Sequence, residues 1–298
     1  MPERLFVCTP SKLASYTDCP RRYRYSYVDR PAPPKGPAWA HNSLGVSVHT
    51  ALRNWYGLPP QRRRPEALST LLRATWVRDG YRDEEQERAV FRIALQWLES
   101  YVDTLSPQDE PVGVERVVAV KTAVLALNGR ADRIDSRPGP DGPELVIVDY
   151  KTGRRAPDAD EARASLALAV YAVAAARTMR LPCRRVELHH LPTGRIAAAE
   201  HTAESLDRHM RRAERIAAEA AEADERYREW ARTRPGTAGR RGDGAPADVP
   251  PELDALFAPR PGPLCSWCDY RRHCPEGQAA APARRPWDGL SEEEIEAG

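Results

Sequence analysis

Lysine is scarce in this chain of 298 residues. Only Lys12, Lys35, Lys121 and Lys151 occur, against 41 arginines. None of the four follows a glycine, so the glycine-lysine turn of a P-loop is missing and ATP is not an expected ligand. In so arginine-rich a chain a generic cation would be arginine, which makes Lys151 stand out. Long apolar runs are also missing. No stretch reaches the ~20 residues of a membrane-spanning helix, so no membrane partner is expected. No secretion signal is read at the N-terminus, and a cytoplasmic setting is expected. No internal repeat points to a solenoid. Cysteines number six, and in a reducing compartment a C-x-x-C pair means metal or redox chemistry rather than a disulfide.

Charge is nearly balanced at +2 but unevenly spread. Residues 288–298 carry five acids and no base, so the remainder carries +7. Arginines cluster at Arg21, Arg22 and Arg24, at Arg62 to Arg64, and at Arg271 and Arg272. Such clusters suit phosphate binding. Solvated helix faces in an arginine-rich chain are the plainer reading. Tyr16, Tyr23, Tyr25 and Tyr27 interleave with the first cluster, where base stacking and packing between helices are equally good accounts.

Thr9 and Pro10 open a helix that is expected to bend at Pro20. Helices are expected over 43–56, 64–79 and 84–104, the last on its apolar spacing. The texture then changes to VGVERVVAVKT, AVLALNGRADRID and ELVIVDYKT. These read as strands separated by turn signals at Asn128-Gly129 and Pro138-Gly139, with LVIVDY the most buried. A helix over 160–180, a hairpin around Pro192 to Gly194, and a long helix capped at Thr202 follow. Residues 233–263 hold five glycines and seven prolines, a linker composition within which Asp254 to Phe257 could dock.

The chemistry-bearing residues lie in the strand region. Asp149 and Lys151 are two apart, so their side chains share one face of a strand. Burying them without partners would cost several kcal/mol each. An ion pair at a strand end accounts for a lone D-x-K, but Asp132 after the Asn-Gly turn and His49 on an upstream helix favour a site. Asp132 and Asp149 are hard oxygen ligands suited to Mg2+ or Mn2+. His49 adds a nitrogen, which favours Mn2+, and the Tyr150 carbonyl is a further candidate ligand. Lys151, a compact point charge, can orient a water that such a metal activates.

Four cysteines form a second set. Cys265, Cys268 and Cys274 give C-x2-C-x5-C, and Cys19 lies far upstream in TDCPRRYRY. By spacing alone, four thiolates could hold zinc or an iron–sulfur cluster. Cys8 and Cys183 lack matching partners and are expected to be buried. His189 and His190 are expected to be exposed or hydrogen-bonded rather than ligands, and His273 could substitute for a thiolate.

From about residue 11 to 275 the chain resembles the PD-(D/E)XK nucleases, and within them the RecB-like branch. That branch includes the nuclease domains of RecB and AddB and the CRISPR-associated RecB-like exonucleases. Gly45 to His49 matches G-x-x-x-H, Gly129 to Asp132 matches G-x-x-D, and Asp149 to Lys151 matches D-x-K. The resemblance implies a role for Glu115 as the acid on the preceding strand. It implies another for Tyr171, the tyrosine of a Q-x-x-x-Y motif whose glutamine is here Ala167. Cys19-Pro20-Arg21-Arg22-Tyr23 and the three C-terminal cysteines match the iron–sulfur members, and this implies a 4Fe-4S cluster rather than zinc.

The implied fold is α/β, a restriction-endonuclease-like mixed central sheet flanked by helices, with an iron–sulfur element joining the N- and C-terminal segments. The nuclease core with its N-terminal cluster helix is expected over 1–232, a linker over 233–263, the cysteine element over 264–276, and a disordered acidic tail over 277–298. The implied activity is a phosphodiesterase: a metal-dependent DNA exonuclease acting on single strands in repair or recombination. The alternatives are a non-catalytic DNA-binding protein of the same fold and a nuclease subunit that needs a helicase partner.

Overall fold

A computed structural model describes residues 5–233 and 249–290. Strand β1 (Phe6–Cys8) leads into helix α1 (Pro10–Asp18). Thr9 caps α1 by accepting the Lys12 N–H at 3.1 Å, as its sequence requires. Cys19 is extended, the conformation favoured before proline, so the helix breaks there. It restarts as α2 (Pro20–Tyr23), which runs into a π-helical turn over 24–28. Helices α3 (Ala40–Tyr56), α4 (Ala67–Thr75) and α5 (Glu84–Val102) follow.

Strands β2 (Gly113–Lys121), β3 (Leu125–Gly139) and β4 (Gly142–Lys151) come next. The turn expected at Asn128-Gly129 does not form. β3 runs through it because pairing partners hold both ends, β1 along Leu125 to Leu127 and β4 along Arg133 to Gly139. Tertiary pairing outweighs a local turn preference. Asp132 therefore lies within a long strand rather than near its end. The expected helix over 160–180 is two helices, α6 (Ala159–Ala164) and α7 (Leu166–Met179), because Ser165 ends one and caps the other. The hairpin forms as expected from β5 (Cys183–His190) and β6 (Arg195–Glu200). Helix α8 (Ala203–Arg232) starts on Thr202, whose hydroxyl accepts the Ser205 N–H. Short helices α9 (Pro251–Asp254) and α10 (Pro275–Ala280) bracket the C-terminal cysteines. Among the described residues no helix is long and apolar enough to cross a membrane.

The chain divides into two compact units, a different partition from the linear one that composition suggested. One comprises 38–120, 128–209 and 286–298. Its sheet runs β3-β4-β5-β6 with β2 beside β3. The pairings are antiparallel, parallel and antiparallel in turn, a mixed sheet. Val146, Val148 and Tyr150 on one face of β4 pack into a core with Leu44, Val48 and Trp55 of α3 and Leu98 and Tyr101 of α5. Helix α7 packs on β4 and β5. Residues 145–148 are the deepest part of β4, each at most 2 % exposed, as its apolar run predicted.

The other unit comprises 1–37, 121–127 and 210–285. Tyr16 and Tyr23 form its core with Ala220, Tyr227 and Phe257, so the docking expected for Asp254 to Phe257 occurs. Tyr25 is buried and donates to the His273 carbonyl at 3.0 Å. Helix packing, not base stacking, accounts for these three tyrosines. The arginines likewise belong to the fold. Arg21 and Arg24 are buried and bond Asp254 at 2.6 and 2.8 Å, and Arg24 faces buried Asp29 at 3.4 Å. Arg271 donates to the Gln278 and Ala281 carbonyls, and Arg272 to those of Pro34 and Lys35. In the sheet-containing unit Arg63 donates to the Tyr56 and Leu58 carbonyls.

The expected disorder over 277–298 does not hold for its described part. Residues 275–280 are helical, and Leu290 is buried in the core of the sheet-containing unit. An apolar Trp287 and Leu290 within an otherwise polar stretch are what allow this packing. Residues 291–298, and 234–248 of the expected linker, lie outside the described residues.

Removing Arg24 strands the Asp29 carboxylate without its counter-charge. Arg24→Ala is expected to cost about 3–5 kcal/mol in stability, the usual penalty for breaking a buried pair, whereas Arg62→Ala at an exposed site changes stability by less than ~0.5 kcal/mol. Urea unfolding followed by circular dichroism reads both.

Candidate active site

Strand alternation places Asp149 and Lys151 on the face of β4 opposite Val148 and Tyr150. Lys151 Nζ stands 2.6 Å from Asp149 Oδ2. Beside them the β3–β4 ladder ends at the Arg133–Val148 pair. There the Asp132 carboxylate takes a ladder partner's place, accepting the Tyr150 N–H at 2.9 Å. The same Oδ2 lies 3.2 Å from His49 Nδ1. The His49 ring rests edge-on against Tyr150, with centroids 5.7 Å apart. One carboxylate thus ties β3, β4 and α3 together.

Glu115 completes the group. It sits on β2 with φ at +48°, a left-handed backbone that a residue with a side chain adopts only under constraint. Ligand atoms of His49, Glu115 and Asp132 lie within 4.8 Å of one another. Glu115 also pairs with Arg130 at 3.3 Å. Of the ligands expected from sequence, the structure brings His49 and Asp132 together and adds Glu115. Asp149 instead engages Lys151. Tyr150 meets the site through its N–H and ring, while its hydroxyl accepts from Arg133.

Gathering acids this way has an electrostatic cost. Burial pushes the Asp149 carboxyl above the usual range and nearby Asp132 adds to it, against the opposing pull of Lys151. Burial alone would lower the His49 pKa, but the hydrogen bond to Asp132 and the charges of Asp132, Asp149 and Glu115 prevail and raise it. A proton on His49 adds to the counter-charge that Lys151 and Arg130 supply to these acids. Two or three carboxylates and an imidazole are the donor set of a small divalent cation, and these residues fit Mg2+ or Mn2+. Tyr171, on α7 one turn after Ala167, has its phenol pushed up to about 12 by burial and by Asp149 and Asp132. It stays protonated and can donate.

Sequence reasoning missed the support beneath the site. Buried Arg133 donates to the hydroxyls of Tyr56 at 2.6 Å, Tyr101 at 2.9 Å and Tyr150 at 3.4 Å, and it pairs with Asp135. Nothing local to R-I-D signals this, since the three tyrosines come from α3, α5 and β4. His189 and His190 are buried and hydrogen-bonded, as one of the expected readings had it. His190 Nε2 lies 2.6 Å from the Gly153 carbonyl and fixes the loop after Lys151.

The second set also converges. Cys19, Cys265, Cys268 and Cys274 line one cavity. Gly277 borders it, and a side chain there would begin 3.4 Å from one thiol and 3.6 Å from another. Burial raises the Cys268 thiol and pushes Cys274 up to about 11. Cys8 and Cys183 are buried elsewhere, their thiols pushed up to about 11 and about 12.

A family model, the PD-(D/E)XK nuclease superfamily, matches residues 7–275. With most of its length matched, the chain belongs to that superfamily, whose members are phosphodiesterase nucleases using Mg2+ or Mn2+. No curated protein matches the chain.

The acid cluster makes an expected sign difference. Glu115→Gln relieves repulsion, so the metal-free protein should be no less stable than wild type. Saturating Mn2+ should raise wild-type stability, by about 2.7 kcal/mol at a hundredfold excess over Kd, and raise the variant much less. Thermal unfolding with and without Mn2+ measures both, and equal stabilisation of the two proteins would remove Glu115 from the metal set.

Proposed function

We propose that this protein is an end-dependent exonuclease for single-stranded DNA of the RecB-like, iron–sulfur branch, acting in repair or recombination. The observation that carries the nuclease reading is the Lys151–Asp149 pair on one strand face beside the His49, Glu115 and Asp132 group. The motif resemblance supports the branch. A helicase or recombination partner would supply the single strands.

In this reading His49, Glu115, Asp132 and Asp149 would hold the divalent cation, and the Tyr150 carbonyl would be a further ligand. When bound, the cation supplies a lowered pKa for water and stabilisation of charge on the phosphate. Lys151 orients the attacking water and faces the charge that develops on the phosphoryl oxygens. Asp149 keeps the Lys151 ammonium aimed into the site. Tyr171, held protonated, donates a hydrogen bond to a phosphate oxygen and positions the strand.

The four cysteines are proposed to ligate a 4Fe-4S cluster. The match of Cys19-Pro20-Arg21-Arg22-Tyr23 and of the C-x2-C-x5-C run to the iron–sulfur members supports the four-iron group over zinc. Arg21, Arg22, Arg260 and Arg271 also line the cavity and offset the charge of four thiolates. The cysteine element would then be a cofactor-bearing module of the chain, with the remainder of 1–232 forming the nuclease core.

Lys151→Ala should abolish Mn2+-dependent digestion while leaving the circular dichroism spectrum unchanged. Wild-type-like digestion by that variant would remove Lys151 from the chemistry. Linear single strands should be degraded faster than blunt duplex, and closed single-stranded circles should survive. Equal cutting of circles would make the enzyme an endonuclease.

Anaerobically purified protein should be brown and carry about four iron per chain, as four-thiolate ligation of a cluster implies. Cys19→Ala should bleach it, and Cys8→Ala should not. Stoichiometric zinc in place of iron would overturn the assignment.

A further inference from the structure

The loop that follows Lys151 opens into a cavity that Lys151 itself borders. Its volume is about 300 Å³, the size of a small-ligand pocket and too small for a duplex. One wall is the run Lys151, Thr152 and Arg154 at the end of β4. Arg154 is exposed and, among the described residues, pairs with no carboxylate. Leu44, Trp97 and Pro192 supply apolar lining. Two cations and a hydroxyl beside an indole are the chemistry of a phosphate next to a stacked base.

Another part of the lining comes from the C-terminal region of the chain. Gly289 and Leu290 line the cavity, and Leu290 is buried in the same core as Leu44 and Val48. Two contacts pin this segment to α3. The Ala40 N–H donates to the Pro286 carbonyl at 3.0 Å. A side chain on Gly289 would begin 2.6 Å from His41 Nδ1, so the backbone lies directly on the first turn of α3. Gly45, from the G-x-x-x-H motif, faces the same space. A Cβ there would meet only Thr152 Oγ1 at 3.5 Å, an ordinary contact. Packing therefore does not demand glycine at 45, and what its absent side chain leaves is room in the pocket.

We infer that residues 286–290 make this cavity blind, and that it receives the terminal nucleotide of a single strand, its phosphate against Lys151, Thr152 and Arg154 and its base against the apolar lining. A strand cannot pass residues 286–290, so this segment restricts the site to chain ends. The inference takes its substrate from the nuclease reading above, but its test needs no cleavage.

Binding is measured in EDTA with the full chain. Fluorescent linear oligothymidylate is the probe, and thymidine 5′-monophosphate, thymidine 3′-monophosphate, thymidine, inorganic phosphate and circular oligothymidylate of the same length are competitors. One or other monophosphate should compete at least tenfold better than thymidine or phosphate alone, and which one does so gives the end that enters. The circle should compete at least tenfold worse than the linear strand. Gly45→Leu, which fills the pocket, and Arg154→Ala, an exposed substitution that leaves the fold intact, should each weaken monophosphate binding at least tenfold. Equal competition by circle and linear strand, no competition by either monophosphate, or wild-type affinity in Arg154→Ala would overturn the inference. Monophosphate binding without any metal-dependent cleavage would leave the pocket standing and refute the nuclease reading. Cleavage without monophosphate binding would do the reverse.

Discussion

The Asp132 carboxylate is the contact on which the site depends. A β-ladder normally satisfies each inward N–H with a neighbour's carbonyl. Where β3 and β4 part, the Tyr150 N–H is satisfied by Asp132 Oδ2 instead, and the same oxygen meets His49. Opening the ladder frees one edge for chemistry, and the carboxylate covers the amide that the opening exposes. Asp149 and Lys151 project from β4 just beside that gap. The D-x-K spacing gains its meaning from the ladder ending where it does.

The arginines illustrate a different constraint. A chain that uses arginine almost exclusively as its cation puts guanidinium groups where another chain would put neutral donors. Arg21, Arg24, Arg63, Arg271 and Arg272 tie loops and helix ends through carbonyls and carboxylates. Each supplies up to five donors in a fixed fork, suited to backbone that forms no regular structure. Around the cysteine element these bonds tie irregular backbone together, and basic sequence clusters there report stapling of carbonyls and carboxylates.

What could be read from sequence follows the range of each signal. The apolar alternation of LVIVDYK carries Asp149 and Lys151 to one face by local geometry, and the Thr9 cap and β5–β6 hairpin are equally local. Convergence of Cys19 with three cysteines nearly 250 positions away was legible through the resemblance of Cys19-Pro20-Arg21-Arg22-Tyr23 and the C-x2-C-x5-C run to the iron–sulfur members. Asn128-Gly129 misled because two strands claim the residues on either side. The Arg133 cluster was invisible because its tyrosines come from three separate elements. Leu290 looked like part of a polar tail because its core is assembled from α3 and β4, far away in the chain.

The residues hardest to read are also those that work against their own local preferences. Glu115 holds a left-handed backbone, Asp149 is pushed toward protonation, and His49 toward charge. None of these conditions is favourable alone, and such costs persist only where surrounding structure over-determines the geometry. Arg133 supplies that here. Its bonds reach Tyr56 on α3, Tyr101 on α5 and Tyr150 on β4, so helices and strand are fixed from the buried side. Tyr150 then contributes on both levels, its hydroxyl to Arg133 and its ring to His49. The rigid side of the sheet offsets the strain of the reactive side, and one tyrosine backbone between Asp149 and Lys151 joins the two.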